Sequence, residues 1–99
     1  MIDKITSMLE NDLIINIGIF YKDEYWKDEL LSQIIEYYTS KNIEYHKISC
    51  GCIEITSKNK RILFFNINDA FCGLRLDEII SQPKIDSKII NQIIRKMRK

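Results

Sequence analysis

The stretch Leu13-Ile14-Ile15-Asn16-Ile17-Gly18-Ile19-Phe20, followed by the run 24–41, decides the fold that this sequence predicts. Only Asn16 and Gly18 interrupt the hydrophobicity of the first stretch, which is typical of a strand buried on both faces. The apolar residues of the second run recur at helical spacing: Trp26, Leu30, Ile34, Tyr37 and Tyr38. A buried strand that leads into a helix and then into further strands is the beginning of a βαβ unit. We therefore predict an α/β fold.

The rest of the chain supplies the other elements of a small sheet. Asp23 is the predicted N-cap of the long helix. Further strands are predicted over 43–49, 52–56, 61–67 and 76–80, and further helices over 1–10 and from Asp86 or Ser87 onward. The polar turn 57–60 joins two of these strands as an antiparallel hairpin. The elements predict a single small domain over residues 1–99, with a mixed sheet of four or five strands and flanking helices.

Length and composition exclude several classes of protein. The 99 residues are 45% hydrophobic and 29% charged, with a net charge of +1, which is a globular composition without an overall preference for polyanions. The longest apolar run is too short to span a bilayer, so we expect no membrane partner. Three cysteines are an odd number, which argues against a secreted disulfide framework and favours a cytoplasmic protein with reduced thiols.

Two segments carry a resemblance to a known family. They are the opening strand Leu13–Gly18, and the hairpin strands 53–55 and 61–66 followed by the segment Gly73–Ile80. Between Leu13 and Ile80 the chain resembles the P-loop ATPase core of phage large terminase subunits and related packaging proteins. The resemblance implies a phage-type or mobile-element origin and a βαβ scaffold that also contains a hairpin.

The chemistry of that family is missing from this sequence. A phosphate loop has the pattern G-x-x-x-x-G-K-[ST], in which glycines expose backbone N–H groups and Lys neutralises phosphate. Counted from Gly18, the second Gly, the Lys and the Ser/Thr fall on Lys22 or Asp23, Glu24 and Tyr25, and the two carboxylates would repel phosphate. The acidic pair that holds Mg²⁺ is also absent after Ile80. The sequence predicts a degenerate P-loop-like scaffold without nucleotide hydrolysis and without a cofactor.

Three thiols and the single imidazole, His46, Cys50, Cys52 and Cys72, make a candidate zinc set. The C-x-C spacing departs from the usual C-x₂-C knuckle, and free cysteines commonly pack as small buried hydrophobes. Core packing is therefore the favoured interpretation, and no metal is predicted. A cysteine nucleophile would need His46 as its base, and no oxyanion loop accompanies it.

Four carboxylates, Glu54, Asp69, Asp77 and Glu78, raise the alternative of a small metal-dependent nuclease. Glu54 with Lys58 or Lys60 loosely matches a D…E-x-K pattern. Such patterns arise by chance in a sequence with this many charges. Asp77-Glu78 beside Arg75 is also explained by an exposed ion pair.

The C-terminal helix is basic and suggests a second alternative, a nucleic-acid-associated protein. Its contacts to phosphate would come from Arg95, Lys96, Arg98 and Lys99. Positive charge at a helix C-terminus is favourable without any ligand, and no recognition-helix motif is present.

Aromatic residues cluster around the long helix and suggest a protein-binding surface. The candidate residues are Tyr21, Tyr25, Trp26, Tyr37 and Tyr38. Tyr25-Trp26 and Tyr37-Tyr38 are adjacent pairs, so at least one member of each should be exposed, and exposed aromatics favour interfaces. Aromatics that cover the sheet are the alternative.

We predict a non-enzymatic protein that acts by binding a protein partner, such as an inhibitor of a host enzyme or defence system. An open sheet edge would also allow a homodimer.

Overall fold

The computed structural model describes residues 2–11, 13–50, 52–57, 60–67 and 76–97 of the chain. Three helices and five strands follow in the order α1 (Ile2–Leu9), β1 (Asn16–Tyr21), α2 (Glu24–Ser40), β2 (His46–Cys50), β3 (Cys52–Ser57), β4 (Lys60–Asn66), β5 (Glu78–Ser81) and α3 (Ser87–Met97). The predicted α/β class with a mixed sheet and flanking helices is confirmed.

The five strands form one sheet in the order β2-β3-β4-β1-β5. β1 is parallel to both of its neighbours, β4 and β5. The strands β2, β3 and β4 pair antiparallel in sequence order. The predicted hairpin is therefore the β3–β4 pair, and its second strand lies inside the sheet as its apolar sequence indicates.

The main core lies on the face of the sheet that α1 and α2 cover. Ile17, Ile19 and Tyr21 of β1 belong to a buried cluster with residues of both helices. The helices contribute Ile5, Met8, Leu9, Leu30, Leu31, Ile34 and Tyr38. Since successive strand residues point to opposite faces, Gly18 and Phe20 face the other side of the sheet. There Phe20 stacks on its register partner Phe65, with ring centroids 5.3 Å apart.

β1 begins at Asn16, three residues later than the predicted start at Leu13. The side chain of Asn11 accepts a hydrogen bond from the Leu13 N–H, and the Asn11 carbonyl accepts one from the Ile14 N–H. An Asn side chain that bonds its own backbone two residues on forms a turn, so the chain reverses before it enters the sheet. Leu13 is consequently exposed, whereas Ile17 to Tyr21 are buried as predicted.

The helix caps follow the sequence signals. Asp23 is the N-cap of α2, and its Oδ1 accepts a hydrogen bond from the Tyr25 N–H at 2.9 Å. Of the two residues expected to begin α3, Asp86 takes the capping role, accepting from the Lys88 N–H at 2.9 Å.

Candidate interaction surface

The carboxyl end of β1 has the geometry of a ligand site of α/β sheets, because α2 begins there beside the ends of two parallel strands. Only Lys22 and Asp23 connect β1 to α2. Oε1 of Gln82, just after β5, accepts hydrogen bonds from the Lys22 N–H at 2.8 Å and the Asp23 N–H at 3.0 Å. These two N–H groups, which could otherwise bind an anion, are thus used within the chain.

The buried Lys27, at this end of the sheet, is also paired within the chain. Nζ of Lys27 lies 3.0 Å from Oε2 of Glu24 and 2.7 Å from Oδ1 of Asp28, and 5.7 Å from the centroid of the Tyr21 ring. Burial alone would lower the pKa of Lys27. Hydrogen bonds and charge attraction from Asp28 and Glu24 together outweigh burial, so the pKa of Lys27 is raised above its ordinary value. The lysine is committed to its own helix, so it does not offer a charge to a phosphate.

Two residues of the proposed nuclease pattern, Asp77 and Lys60, form hydrogen bonds with the backbone at the amino end of β1. Oδ2 of Asp77 accepts hydrogen bonds from the N–H groups of Ile15 at 2.9 Å and Asn16 at 2.8 Å. Nζ of Lys60 donates to the carbonyls of Asn11 at 2.5 Å and Ile14 at 2.8 Å. Both side chains hold the entry to β1 in place.

The nuclease carboxylates are not brought together. Glu54 lies on β3, where its Oε1 contacts Nε of Arg61 at 2.6 Å, and this bond raises the pKa of Arg61. Asp77 directly precedes β5, three strand spacings away, or about 14 Å. Glu78 is in β5 and Asp69 lies outside the described residues. Within the described part of the chain, no group of three His, Cys, Asp or Glu residues could hold a metal ion.

The candidate zinc residues of β2 are spread along the strand. His46 is exposed at its first position and Cys50 occupies its last. Four residues of extended chain separate their Cα atoms by about 13 Å, which is too far for both side chains to bind one zinc ion with bonds of about 2 Å. Cys52, at the start of β3, is the register partner of Cys50. Cys72 lies outside the described residues.

The candidate aromatic residues do not form one exposed surface. Tyr21 and Tyr38 are only 8% and 2% exposed, and both belong to the main core. Trp26 and Tyr37 are half-buried and pack against that core. Tyr25 is 78% exposed. The prediction that each adjacent pair has an exposed member is confirmed for Tyr25-Trp26 and wrong for Tyr37-Tyr38, because Tyr37 is half-buried and Tyr38 is buried. Burial also removes Tyr21 from a docking surface.

The C-terminal half of α2 instead joins an aromatic cluster. The rings of Tyr37 and Tyr38 have centroids 5.9 Å apart, and Tyr38 stacks on Tyr45 at 5.6 Å. Burial, together with the charge and hydrogen bond of Glu10, raises the pKa of Tyr37. The cluster packs the end of the connection to β2, at Tyr45, against the helix.

Edge strand β2 is the most accessible apolar strand surface of the described sheet. It pairs with β3 on one side, and no described strand pairs with its other side. His46, Lys47 and Ile48 are exposed, and Ile48 is 50% exposed. An uncovered edge strand presents backbone N–H and C=O groups that can pair with another extended chain. Sequence periodicity did not single out Ile48, because position at the edge depends on strand order.

Helix α3 presents basic side chains. Lys84, just before the helix, and Lys88 and Arg95 within it are exposed. None of these three forms an ion pair with another described residue. The side chain of Lys96 and the residues Arg98 and Lys99 lie outside what the structure describes.

Comparison of the chain with protein-family models, with characterised proteins and with solved structures finds no match. The resemblance to the terminase ATPase core therefore stays a prediction. Among the described residues, no helix combines the length and apolar character needed to cross a bilayer.

Proposed function

We propose that the protein acts by binding another protein through the outer edge of β2. The observation that supports this proposal is an edge strand with three consecutive exposed residues, one of them the apolar Ile48. The occupant we propose is an extended segment of the partner, which would add a sixth strand beside β2. Main-chain hydrogen bonds would supply affinity, and the side chain opposite Ile48 would supply selectivity.

The residues considered for a nuclease site make structural contacts instead, so they support an enzymatic function less well than β2 supports a binding function. Asp77 and Lys60 are used to hold the entry to β1, and Glu54 is paired with Arg61. A phage-borne or mobile-element inhibitor of a host enzyme or defence system is the biological form that we propose for this binding role.

Site-specific photocrosslinking tests the proposal. A benzophenone amino acid would replace Ile48 in one variant and Tyr25 in a matched control, since both side chains are exposed but lie on different elements. In the cells that produce the protein, we expect a defined crosslinked product from position 48. The substitution Lys47→Pro, with the probe retained at 48, should abolish that product, because proline distorts strand pairing.

Crosslinks from position 25 alone would overturn the β2 proposal and restore the exposed aromatic residue as the binding surface. A crosslink from position 48 to a second copy of the chain would instead identify a homodimer paired through β2. Native mass spectrometry separates these cases, because a homodimer persists in the purified protein without any partner.

A second candidate function is nucleic-acid binding through α3. It is supported by Lys84, Lys88 and Arg95, which are exposed and form no ion pair with another described residue. Binding to DNA or RNA should weaken steeply with salt, because each phosphate contact releases a counterion. Neutralising Arg95, Lys96, Arg98 and Lys99 with Gln should remove binding measured by fluorescence anisotropy. Neutralising Lys4 and Lys41, basic residues far from α3 in sequence, is the control. Equal loss in both variants would indicate general charge attraction and contradict a site on α3.

A further inference from the structure

Cys50 and Cys52 are register partners at the end of the β2–β3 pair. Cys50 is the last residue of β2, Cys52 is the first of β3, and the antiparallel register pairs one with the other. Register partners in an antiparallel pair share a face, with Cβ atoms about 5 Å apart. A disulfide needs a Cβ separation of about 4 Å, so a small approach of the two strand ends is sufficient.

We propose that Cys50 and Cys52 form a reversible dithiol–disulfide pair that exchanges with small-molecule disulfides such as oxidised glutathione. The inference rests on the register alone and is independent of the proposed binding function. It assigns to the two cysteines a role other than zinc binding. The extended β2 strand places His46 and Cys50 too far apart to bind one zinc ion together.

The exchange proceeds in two balanced steps. The thiolate of one cysteine attacks a sulfur of oxidised glutathione, which forms a mixed disulfide and releases one glutathione thiolate. The thiolate of the other cysteine then attacks the protein sulfur of the mixed disulfide and releases the second glutathione. The protein loses two electrons and two protons, and oxidised glutathione is reduced to two molecules of the thiol.

The short ring makes this pair a readily reversible one. A disulfide that closes a ring across a single intervening residue restricts the unfolded chain little, so loop closure by itself adds little to stability. Any preference for closure in the folded protein must then come from the register of the two strands. The pair therefore responds to the ratio of glutathione disulfide to thiol, and it closes the end of the edge strand without being required for folding.

A redox titration tests the proposal in the full chain with Cys72→Ser, which leaves the two cysteines of the hairpin. The protein is equilibrated in glutathione buffers of increasing oxidation, quenched in acid, alkylated with a maleimide and weighed by mass spectrometry. Closure to the disulfide is measured against the mixed disulfide. We expect it to be at least about tenfold more favourable in the folded protein than in urea, because the register keeps the two strand ends adjacent. Cys50→Ser and Cys52→Ser, each added to Cys72→Ser, should stop at the mixed disulfide.

Equal closure in the folded and unfolded protein would overturn the proposal, and so would mixed disulfides that persist in the folded state. Peptide mapping of the oxidised wild-type chain provides a measurement that does not depend on how Cys72→Ser folds. A bond from Cys72 to either of the other cysteines would also contradict the pair. Circular dichroism of each variant verifies that the folded samples are folded.

Discussion

The side chain of Leu76 lies against Gly18 so closely that a Cβ on Gly18 would overlap Cδ1 of Leu76. Gly18 is buried at the middle of β1, on the face of the sheet opposite α1 and α2. Glycine at this position therefore has a packing reason, which is to admit a leucine from the segment that leads into β5. The contact joins two parts of the chain that are distant in sequence.

Replacing Gly18 with Val should destabilise the protein by about 1–3 kcal/mol, because the added methyl groups must displace Leu76. Leu76→Ala removes the obstructing side chain, so the double variant should lose less stability than the sum of the two single variants. The measurement is a double-mutant cycle of urea unfolding. Additive losses would show that Leu76 does not restrict position 18.

Removing the hydroxyl of Tyr38 should make the protein more stable. The OH group is buried and has no hydrogen-bond partner among the described residues, whereas the ring stacks on Tyr45. Tyr38→Phe keeps the ring and removes an unsatisfied polar group, which should raise the free energy of unfolding by about 1 kcal/mol at neutral pH. Tyr25→Phe, at an exposed position, is the control and should change nothing. A stability loss in Tyr38→Phe would show that the hydroxyl has a partner.

Ionisation of the Tyr38 hydroxyl should reduce the stability of the protein at alkaline pH. Burial, and to a lesser degree the charge of Tyr37, raises the pKa of Tyr38 from 10.0 to about 12. Because the folded pKa lies above the unfolded one, this contribution is complete below pH 10 and is lost as the pH rises toward 12. Between these values Tyr38 should add a slope of about 1.4 kcal/mol per pH unit to the fall in stability. Tyr38→Phe should show a shallower alkaline decline in urea titrations, and an identical decline would contradict the prediction.

Asp77 and Gln82 flank β5, and each should stabilise the pairing of β5 with β1. Each side chain accepts two backbone N–H groups, Asp77 at the start of β1 and Gln82 just beyond its end. Asp77→Ala should cost about 1–2 kcal/mol, because it removes two charge-assisted hydrogen bonds at an exposed site. Gln82→Ala should cost about 1 kcal/mol, since water can replace its neutral bonds. Hydrogen exchange should report faster exchange of the Asn16 amide in the first variant and the Asp23 amide in the second, and Glu29→Ala should affect neither.

The sequence predicts what depends on local pattern, and it misses what depends on strand order. The buried β1, the cap at Asp23 and the hairpin follow from hydrophobic spacing and turn residues, which act over a few positions. The contacts of Gln82 with Lys22 and of Asp77 with Ile15 join residues about sixty positions apart, and no periodic signal announces them. The exposed edge at Ile48 depends on which strands pair. Likewise, the burial of Tyr38 depends on the packing of α2 against the sheet.

Lys27 separates the contribution of packing from that of ion pairing, because its side chain is buried while its carboxylate partners are exposed. Lys27→Met should change stability by no more than about 0.5 kcal/mol, since methionine keeps the apolar stem and leaves Glu24 and Asp28 in water. Lys27→Ala should cost about 1–2 kcal/mol through lost packing against Tyr21. Because the pKa of Lys27 is raised in the folded protein, the contribution of its charge to stability is complete below pH 10.5. That contribution disappears as the pH rises through the folded pKa. Urea unfolding of both variants at neutral pH is the measurement. A loss in Lys27→Met as large as that in Lys27→Ala would show that the ion pairs, rather than the stem, hold this end of α2.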